Sequence, residues 1–455
     1  MLSPSSSTSP LLHLSQPSDF AKSLLQSAKL KRVLIACLTL LLAGAGIALY
    51  RRQRMVATPP SLPLFVGPAT DDQIASMMMH IVYNKPSDLM QLTQWLRILK
   101  RLRARKAQLS ARETALMALL DSQLFPWPSS AKREELVVRH RRGIVICTGQ
   151  IMFPLAVHAI RTIRFLDCAL PIEVFYMGEQ DLNRKSVAYL DRLDGVRTVD
   201  LARIFDLDQL KLETWDIKPF AMLASSFREI ILMDADTVFV QNPTVMLDYP
   251  EYAATGALFF IDRTFGVQRA SKTDWINSFL PPPLSEKLKA SEFYKNKSHY
   301  RQEAGVVVID RERHQLGMLA TCRLNYGTDR DRIRKFTHGE KETYWIGFEM
   351  VEEPYEFVDD HAGHIGGERL PEGQRGHFNG KLAHFDRNST LLWFNDGIVV
   401  HKHDLRSGVA NLQYISNEGT WDMSRLVTDK VRRIPESQLA LLEQIEALWT
   451  PNLAV

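Results

Sequence analysis

Apolar and polar positions divide the chain into three regimes. Residues 33–50, VLIACLTLLLAGAGIALY, form an uncharged run of 18 residues, which as a helix spans about 27 Å, close to the thickness of a hydrocarbon core. Lys29, Lys31 and Arg32 precede it, and Arg51, Arg52 and Arg54 follow. It ends in Tyr50-Arg51-Arg52 rather than at a small-residue cleavage site, and it lacks the polar face of a core helix. The pattern therefore predicts a membrane span rather than a cleaved signal peptide or a buried helix. From Asp71 to about Gln123, apolar residues recur at helical spacing, as in Leu89, Leu92, Trp95, Leu96, Leu99 and Leu102. This helical block either packs on the body or lengthens a stem.

The third regime, from Gly143 onward, alternates strand and helix signals. Gly143 to Gly149 is a short apolar run closed by glycine, the pattern of a buried strand. Phe153 to Leu166 has helical periodicity, Ile172 to Tyr176 reads as a second strand, and Ile230 to Met233 as a third. Phe220 to Phe227 reads as a helix with Pro219 near its first position. Pro435 to Trp449 closes the chain with another helical pattern. Such alternation predicts an α/β fold with a largely parallel sheet, whose ligands bind beyond the carboxyl ends of the strands.

Composition narrows the class. With 455 residues and 45% apolar content the chain can bury a full core. Its net charge is only +4, so no nucleic-acid partner is called for, and the basic clusters Lys100–Lys106 and Lys132–Arg142 read as solvated or membrane-facing surface. The four cysteines, Cys37, Cys147, Cys168 and Cys322, lack zinc-site spacing and leave room for one disulfide. The two flanks of the apolar run carry similar charge, so the mass distribution sets the orientation. About thirty residues precede the run and about four hundred follow, including the sequons at Asn296 and Asn388. The expected organisation is a cytosolic tail (1–32), a transmembrane signal anchor (33–50), a stem and helical region (51–130) and a lumenal catalytic domain (131–455). That is a type II single-pass protein.

Asp234-Ala235-Asp236 directly follows the apolar strand Ile230–Met233. Carboxylates at i and i+2 of an extended segment point to one side. At a strand's carboxyl end they suit Mn²⁺ or Mg²⁺ held against a diphosphate, although a bare Asp-x-Asp equally describes a turn or a solvated pair. Arg161 and Arg164, three apart on a helix, and Lys218, before a helix N-terminus, are candidate phosphate partners or ordinary surface charges. Arg263 follows a further strand candidate, Phe259–Ile261.

Several ordered blocks together resemble the fungal Golgi α-1,3-mannosyltransferases, glycosyltransferase family 71. They run from Ala156–Glu173 through Trp215-Asp216-Ile217-Lys218-Pro219-Phe220-Ala221 and Ser225–Glu229 to Asp234-Ala235-Asp236 and Asn242-Pro243. Thr255–Phe260 with Asp262-Arg263, Glu303–Asp310 and Lys341–Trp345 complete the match, which covers roughly Gly143 to His403. The resemblance implies a GT-A fold, a GDP-mannose donor, a glycan acceptor, a Mn²⁺ cofactor and retention of configuration at a Golgi membrane. It implies metal binding by Asp234 and Asp236 and donor-site positions at Lys218 and Gly256; with Arg161 as phosphate partner and Gly305 near the donor carbon, the expected donor contacts are Arg161, Lys218, Asp234, Gly256 and Gly305. Glu303 and Glu342 fall where acceptor and donor carbon meet. Glu340 stands where the family pattern has Asp, and Asn379 where it has Cys before a glycine; both leave acceptor and linkage open.

A late histidine completes the metal shell in many GT-A enzymes. His401 and His403 alternate on a strand candidate and would share a face, with His401 the preferred ligand and hydrated surface histidines the alternative. A retaining transfer needs no strong external base, because the departing diphosphate can take the acceptor proton; Glu303 or Glu342 is an alternative nucleophile or charge stabiliser. A different nucleotide-sugar donor, or a non-catalytic lectin-like Golgi protein, are the competing readings.

Overall fold

The computed structural model describes residues 70–127, 139–264, 266, 271–367, 380–417, 431–450 and 453. The expected cytosolic tail, the apolar run 33–50 and the first part of the stem lie outside these residues. Among the described residues no helix is long and apolar enough to cross a membrane.

Three N-terminal helices open the structure: α1 (Asp71–Tyr83), α2 (Leu89–Ala104) and α3 (Ala111–Leu124). Each starts on a side-chain cap. Thr70 and Ser110 form capping boxes with Gln73 and Glu113, and Asp88 accepts from Gln91 N, so orphan amides are satisfied before the apolar face begins. That face packs on the α/β body rather than extending away from it. Leu92, Trp95, Leu96 and Leu99 belong to one cluster with Phe220, Phe348 and Val351. Buried Arg97 ties α2 down further, donating to Met350 O at 3.2 Å and pairing with Glu352 at 3.1 Å.

The body is built on a seven-stranded sheet ordered β3-β2-β1-β4-β7-β6-β8. Its strands are β1 (His140–Cys147), β2 (Ile172–Tyr176), β3 (Val196–Asp200), β4 (Phe227–Asp234), β6 (Ala257–Ile261), β7 (Gln302–Asp310) and β8 (Glu356–His361). β3, β2, β1 and β4 run parallel, β7 is antiparallel to both its neighbours, and β8 is parallel to β6. The expected largely parallel α/β sheet is therefore present with one reversed strand. Helices α4 (Phe153–Phe165), α5 (Ile217–Ala224), α6 (Gln315–Leu324) and α7 (Thr343–Val351) cover its faces. Burial of the central strands is continuous rather than alternating, as a sheet covered on both faces requires.

A second sheet was not legible in the sequence. Six antiparallel strands, ordered β15-β14-β9-β10-β11-β5, are formed by β5 (Val238–Phe239), β9 (Gly363–Gly366), β10 (Lys381–Phe385), β11 (Leu391–Phe394), β14 (Tyr414–Ser416) and β15 (Arg432–Arg433). β5 follows directly on the Asp234-Ala235-Asp236 segment, so the second sheet begins where the first sheet's central strand ends. A separate hairpin, β12 (Val399–His401) with β13 (Asp404–Val409), and the C-terminal helix α8 (Glu436–Ala447) complete the structure.

One expected boundary moves. Phe220–Phe227 was expected to be a single helix, but α5 covers Ile217–Ala224 and Phe227 already begins β4. The break comes from Ser225 and Ser226. Their hydroxyls donate to buried Glu173 at 2.8 and 2.6 Å, holding the backbone out of the helix. Cys147, Cys168 and Cys322 are all free thiols, so no disulfide forms among the described cysteines.

Candidate active site

The site starts with a buried charge that sets the entry of α5. Asp216 is fully enclosed and pairs with Arg330 at 3.0 Å and Arg334 at 2.6 Å, while its carboxylate also accepts from Glu213 N. This anchors the turn from which α5 departs and places Lys218 in its first turn, beside the carboxyl end of β4. Lys218 Nζ lies 2.6 Å from Asp234 Oδ1 and 2.8 Å from Glu340 Oε1, and it points at Ala304 O at 3.5 Å. Burial alone would lower the Lys218 pKa, but Asp234 and Glu340 outweigh it and hold the ammonium above the ordinary lysine range. Burial also raises the Asp234 pKa, reinforced by Asp236 and Glu340 and opposed by Lys218.

Asp234 is the last residue of β4, and Asp236 sits in the turn beyond it. The i, i+2 alternation of an extended strand therefore does not orient the pair. Asp236 is instead fixed by its surroundings: its carbonyl accepts from Gly397 N at 2.7 Å, and its Oδ2 lies 2.8 Å from Lys402 Nζ. Lys402 comes from the turn of the β12–β13 hairpin and also pairs with Asp396 at 3.2 Å. Burial acts to lower its pKa, and Asp236 and Asp396 together push it above the usual lysine range.

On the β7 side, Thr237 Oγ1 donates to Gly305 O at 3.1 Å. Buried Glu303 accepts from Gly305 N at 2.9 Å and from Asn395 Nδ2 at 3.0 Å. A side chain on residue 305 would press on Glu303, Asn395 and Trp393, each within about 3 Å of an added Cβ, so the close approach requires glycine. Lys341 Nζ lies 2.7 Å from Asp262 Oδ2 next to this group. Burial, then Asp262, raise the Glu303 pKa, with Lys341 opposing. Acids outnumber bases across the cluster. Among the described residues Asp234, Asp236, Asp262, Glu303, Glu340 and Asp396 are set against Lys218, Arg263, Lys341, Lys381 and Lys402.

Residues 141–386, more than half of the chain, match the family model described as "Mannosyltransferase putative". The chain belongs to this mannosyltransferase family. Among curated relatives it is 24% identical to the alpha-1,3-mannosyltransferase MNT2 of Saccharomyces cerevisiae over 297 residues, covering 57% of this chain and 52% of the relative. It is also 24% identical to the alpha-1,3-mannosyltransferase MNN1 of the same yeast over 321 residues, covering 58% and 41%. The chain thus spans about half the length of the curated relatives it matches, or less. A solved structure with some likeness is core-mannan synthase A from Aspergillus fumigatus in its Mn/GDP form. There the identity is 9% and the TM-score 0.31, over 48% of this chain and 73% of that one.

Not every residue singled out in this family member reaches the site. Lys218, Asp234, Asp236, Glu303 and Gly305 converge there. Arg161 does not: its guanidinium bonds Thr450 Oγ1 and Tyr189 Oη, both at 2.7 Å, and fastens the C-terminal segment to α4. Arg164 likewise serves carbonyls of Asp194 and Cys168. Gly256 lies at the far end of the sheet. Its carbonyl accepts from Asp310 N, and Asp310 pairs with Glu229 near the start of β4, not with Asp234 at its end. With φ +79° Gly256 caps the short helix Pro250–Thr255, which explains the glycine without a ligand. Arg263, by contrast, borders the site: it is buried against His364 at 2.9 Å, and Asp262, Glu303 and Asp396 act on its charge.

Glu342 is fully buried, and its oxygens accept from Arg301 N at 2.9 Å and Trp345 Nε1 at 2.5 Å, at the start of α7. It holds the backbone there and lies within electrostatic reach of Lys341 and Asp262 at the edge of the cluster. His401 and His403 are both exposed, and the residue between them, Lys402, reaches Asp236. The sequence reading missed Lys402, Lys341 and Asn395. The Asn395-Asp396-Gly397 turn was the one available signal, because a positive φ at Asp396 and Gly397 reverses the chain into the site.

Proposed function

We propose that this chain is a metal-dependent glycosyltransferase of GT-A type, which moves mannose from GDP-mannose to a mannose-containing glycan with retention of the α configuration. One observation carries the reading: two aspartates at the carboxyl end of a central strand stand in a cluster with more acids than lysines. That is the place where an α/β sheet takes its ligand, and the surplus acid suits a divalent cation with a nucleotide diphosphate. Among the described residues no three His, Cys, Asp or Glu side chains enclose an ion by themselves. Asp234 and Asp236 fit as one side of a Mn²⁺ or Mg²⁺ shell whose remaining ligands come from substrate and water. When bound, the ion supplies positive charge for the departing diphosphate.

The chain's own residues divide the remaining work. Lys218 keeps a fixed positive charge beside Asp234, where negative charge builds on a leaving group. Glu303, held by Gly305 N and Asn395, is a buried carboxyl with raised pKa that can carry a proton near neutrality or stabilise a developing oxocarbenium centre. The same proposal includes a Golgi membrane anchor at 33–50, supported by the uncharged apolar run with basic flanks.

The test uses the full chain with a panel of nucleotide sugars, with Mn²⁺ and with chelator. GDP-mannose turnover that chelator abolishes, and that Asp236→Ala lowers by about a hundredfold or more with the fold retained, is the expected result. Full activity in Asp236→Ala, or in chelator, overturns the proposal.

A further inference from the structure

The ion cluster is bordered by an aromatic face that none of its chemistry uses. Trp215 is 45% exposed and is the only tryptophan that exposed among the described residues; Trp95, Trp127, Trp275, Trp345 and Trp393 are all buried. Its indole lies 5.1 Å from the ring of His338, and His338 in turn lies 6.3 Å from Tyr300. Lys341 Nζ stands 3.4 Å from the centroid of Tyr300. The indole rests on bare backbone at Gly339, where an added Cβ would come within 3.1 Å of Trp215 Cε3.

This face is continuous with the candidate active site along two segments of chain. Trp215 precedes Lys218 by one helical turn, with Asp216 locked between them by Arg330 and Arg334. Gly339 precedes Glu340, which pairs with Lys218, and Lys341, which pairs with Asp262. The segments that hold the aromatic rings therefore also hold the ions, and the rings are fixed relative to them. The half-exposed indole offers an amphipathic ring to solvent directly beside the buried ions. Sugars suit it: the axial C–H groups of a hexose form an apolar face that stacks on an electron-rich ring, while hydroxyls at its rim meet polar groups such as Lys341 and His338.

We propose that Trp215, flanked by the tilted rings of His338 and Tyr300, forms a stacking platform that seats a hexose of the acceptor glycan beside Lys341 and the Lys218–Asp234–Glu340 cluster. The proposal deepens the transferase reading and rests on it for the word acceptor; sugar binding at Trp215 is testable apart from transfer. Two measurements on the full chain with Mn²⁺ separate them. In transfer assays with mannotriose as acceptor, Trp215→Ala raises the acceptor KM by about tenfold, Trp215→Phe restores most of it, and the donor KM shifts far less. In direct titration, mannotriose quenches tryptophan emission in the parent chain, and most of that quenching is gone in Trp215→Phe. His338→Ala weakens mannotriose binding in the same direction. An acceptor KM that Trp215→Ala leaves unchanged, or donor and acceptor KM rising in parallel, overturns the platform. If no nucleotide sugar is turned over, the transferase reading fails. The titration still decides the platform, because mannotriose that leaves emission unaltered removes it.

Discussion

The ammonium of Lys402 rests 2.8 Å from Asp236 Oδ2, so the second acid of Asp234-Ala235-Asp236 is neutralised by a residue 166 positions downstream. A divalent cation and this ammonium compete for one carboxylate. Replacing Lys402 by Met removes the competitor, and Mn²⁺ is then expected to bind about tenfold more tightly in the absence of donor, roughly 1.4 kcal/mol. Lys402 is partly solvated, which keeps the figure modest. Counting free Mn²⁺ by electron paramagnetic resonance checks it. Weaker binding in Lys402→Met would mean that the lysine positions Asp236 instead.

Lys218 carries a larger structural load. It is almost fully enclosed between Asp234 and Glu340, and removing its charge leaves two mutually repelling carboxylates with no cation. Lys218→Met is expected to cost about 3 kcal/mol or more in denaturant unfolding. Adding Glu340→Gln removes one of the stranded charges and should recover a substantial part. If the double variant is no more stable than the single one, the two residues are not coupled as the geometry requires.

Acid sensitivity is expected at the junction of α4 and α8. His158 is buried, its Nε2 lies 2.9 Å from Ile445 O, and its ring meets Trp449 edge-on at 5.8 Å. Burial, with Arg161 assisting and the Ile445 carbonyl opposing, lowers its pKa from 6.5 to about 4. The unfolded chain therefore binds a proton between those values that the folded chain refuses. Stability rises with pH across that window and is lost as pH falls from about 6.5 toward 4, by roughly 3 kcal/mol in full. In His158→Gln this component of the slope should vanish. Chemical denaturation at pH 4.5 and 7.5 for both proteins measures it.

Glu342 separates a positioning role from a catalytic one. Glu342→Ala strands the Arg301 amide and the Trp345 indole N–H inside the protein, at an expected cost of about 2–3 kcal/mol. Glu342→Gln keeps one of the two acceptor oxygens and turns an amide NH2 toward the other donor, so it should cost less stability than alanine and retain most of the transfer. A glutamine variant that folds normally yet loses transfer by orders of magnitude would give Glu342 a direct part in the chemistry.

Where the sequence reading succeeded, local pattern was enough. Ile172–Tyr176 is a strand with the expected ends, Phe153–Leu166 differs from α4 by one residue, and Pro435–Trp449 encloses α8. It failed where a distant contact overrode local preference. Ser225 and Ser226 leave the helix to reach Glu173, more than fifty positions earlier. The face shared by His401 and His403 was argued from strand alternation. The β12–β13 pairing shifts register between Val399 and His401, and the intervening lysine is the one that reaches Asp236.

By itself the sequence determined the α/β class, the course of β1, β2 and β4, and the acid pair at the tip of β4. Runs of apolar residues choose their own strand or helix, and a strand's last residues must emerge at its carboxyl end. Only the tertiary structure decided which cations meet those acids, that Arg161 and Gly256 stay away, and that Trp215 stands open beside Lys218. Ion pairs and exposure depend on segments brought together from 166 residues apart, and that distance leaves no trace in local periodicity.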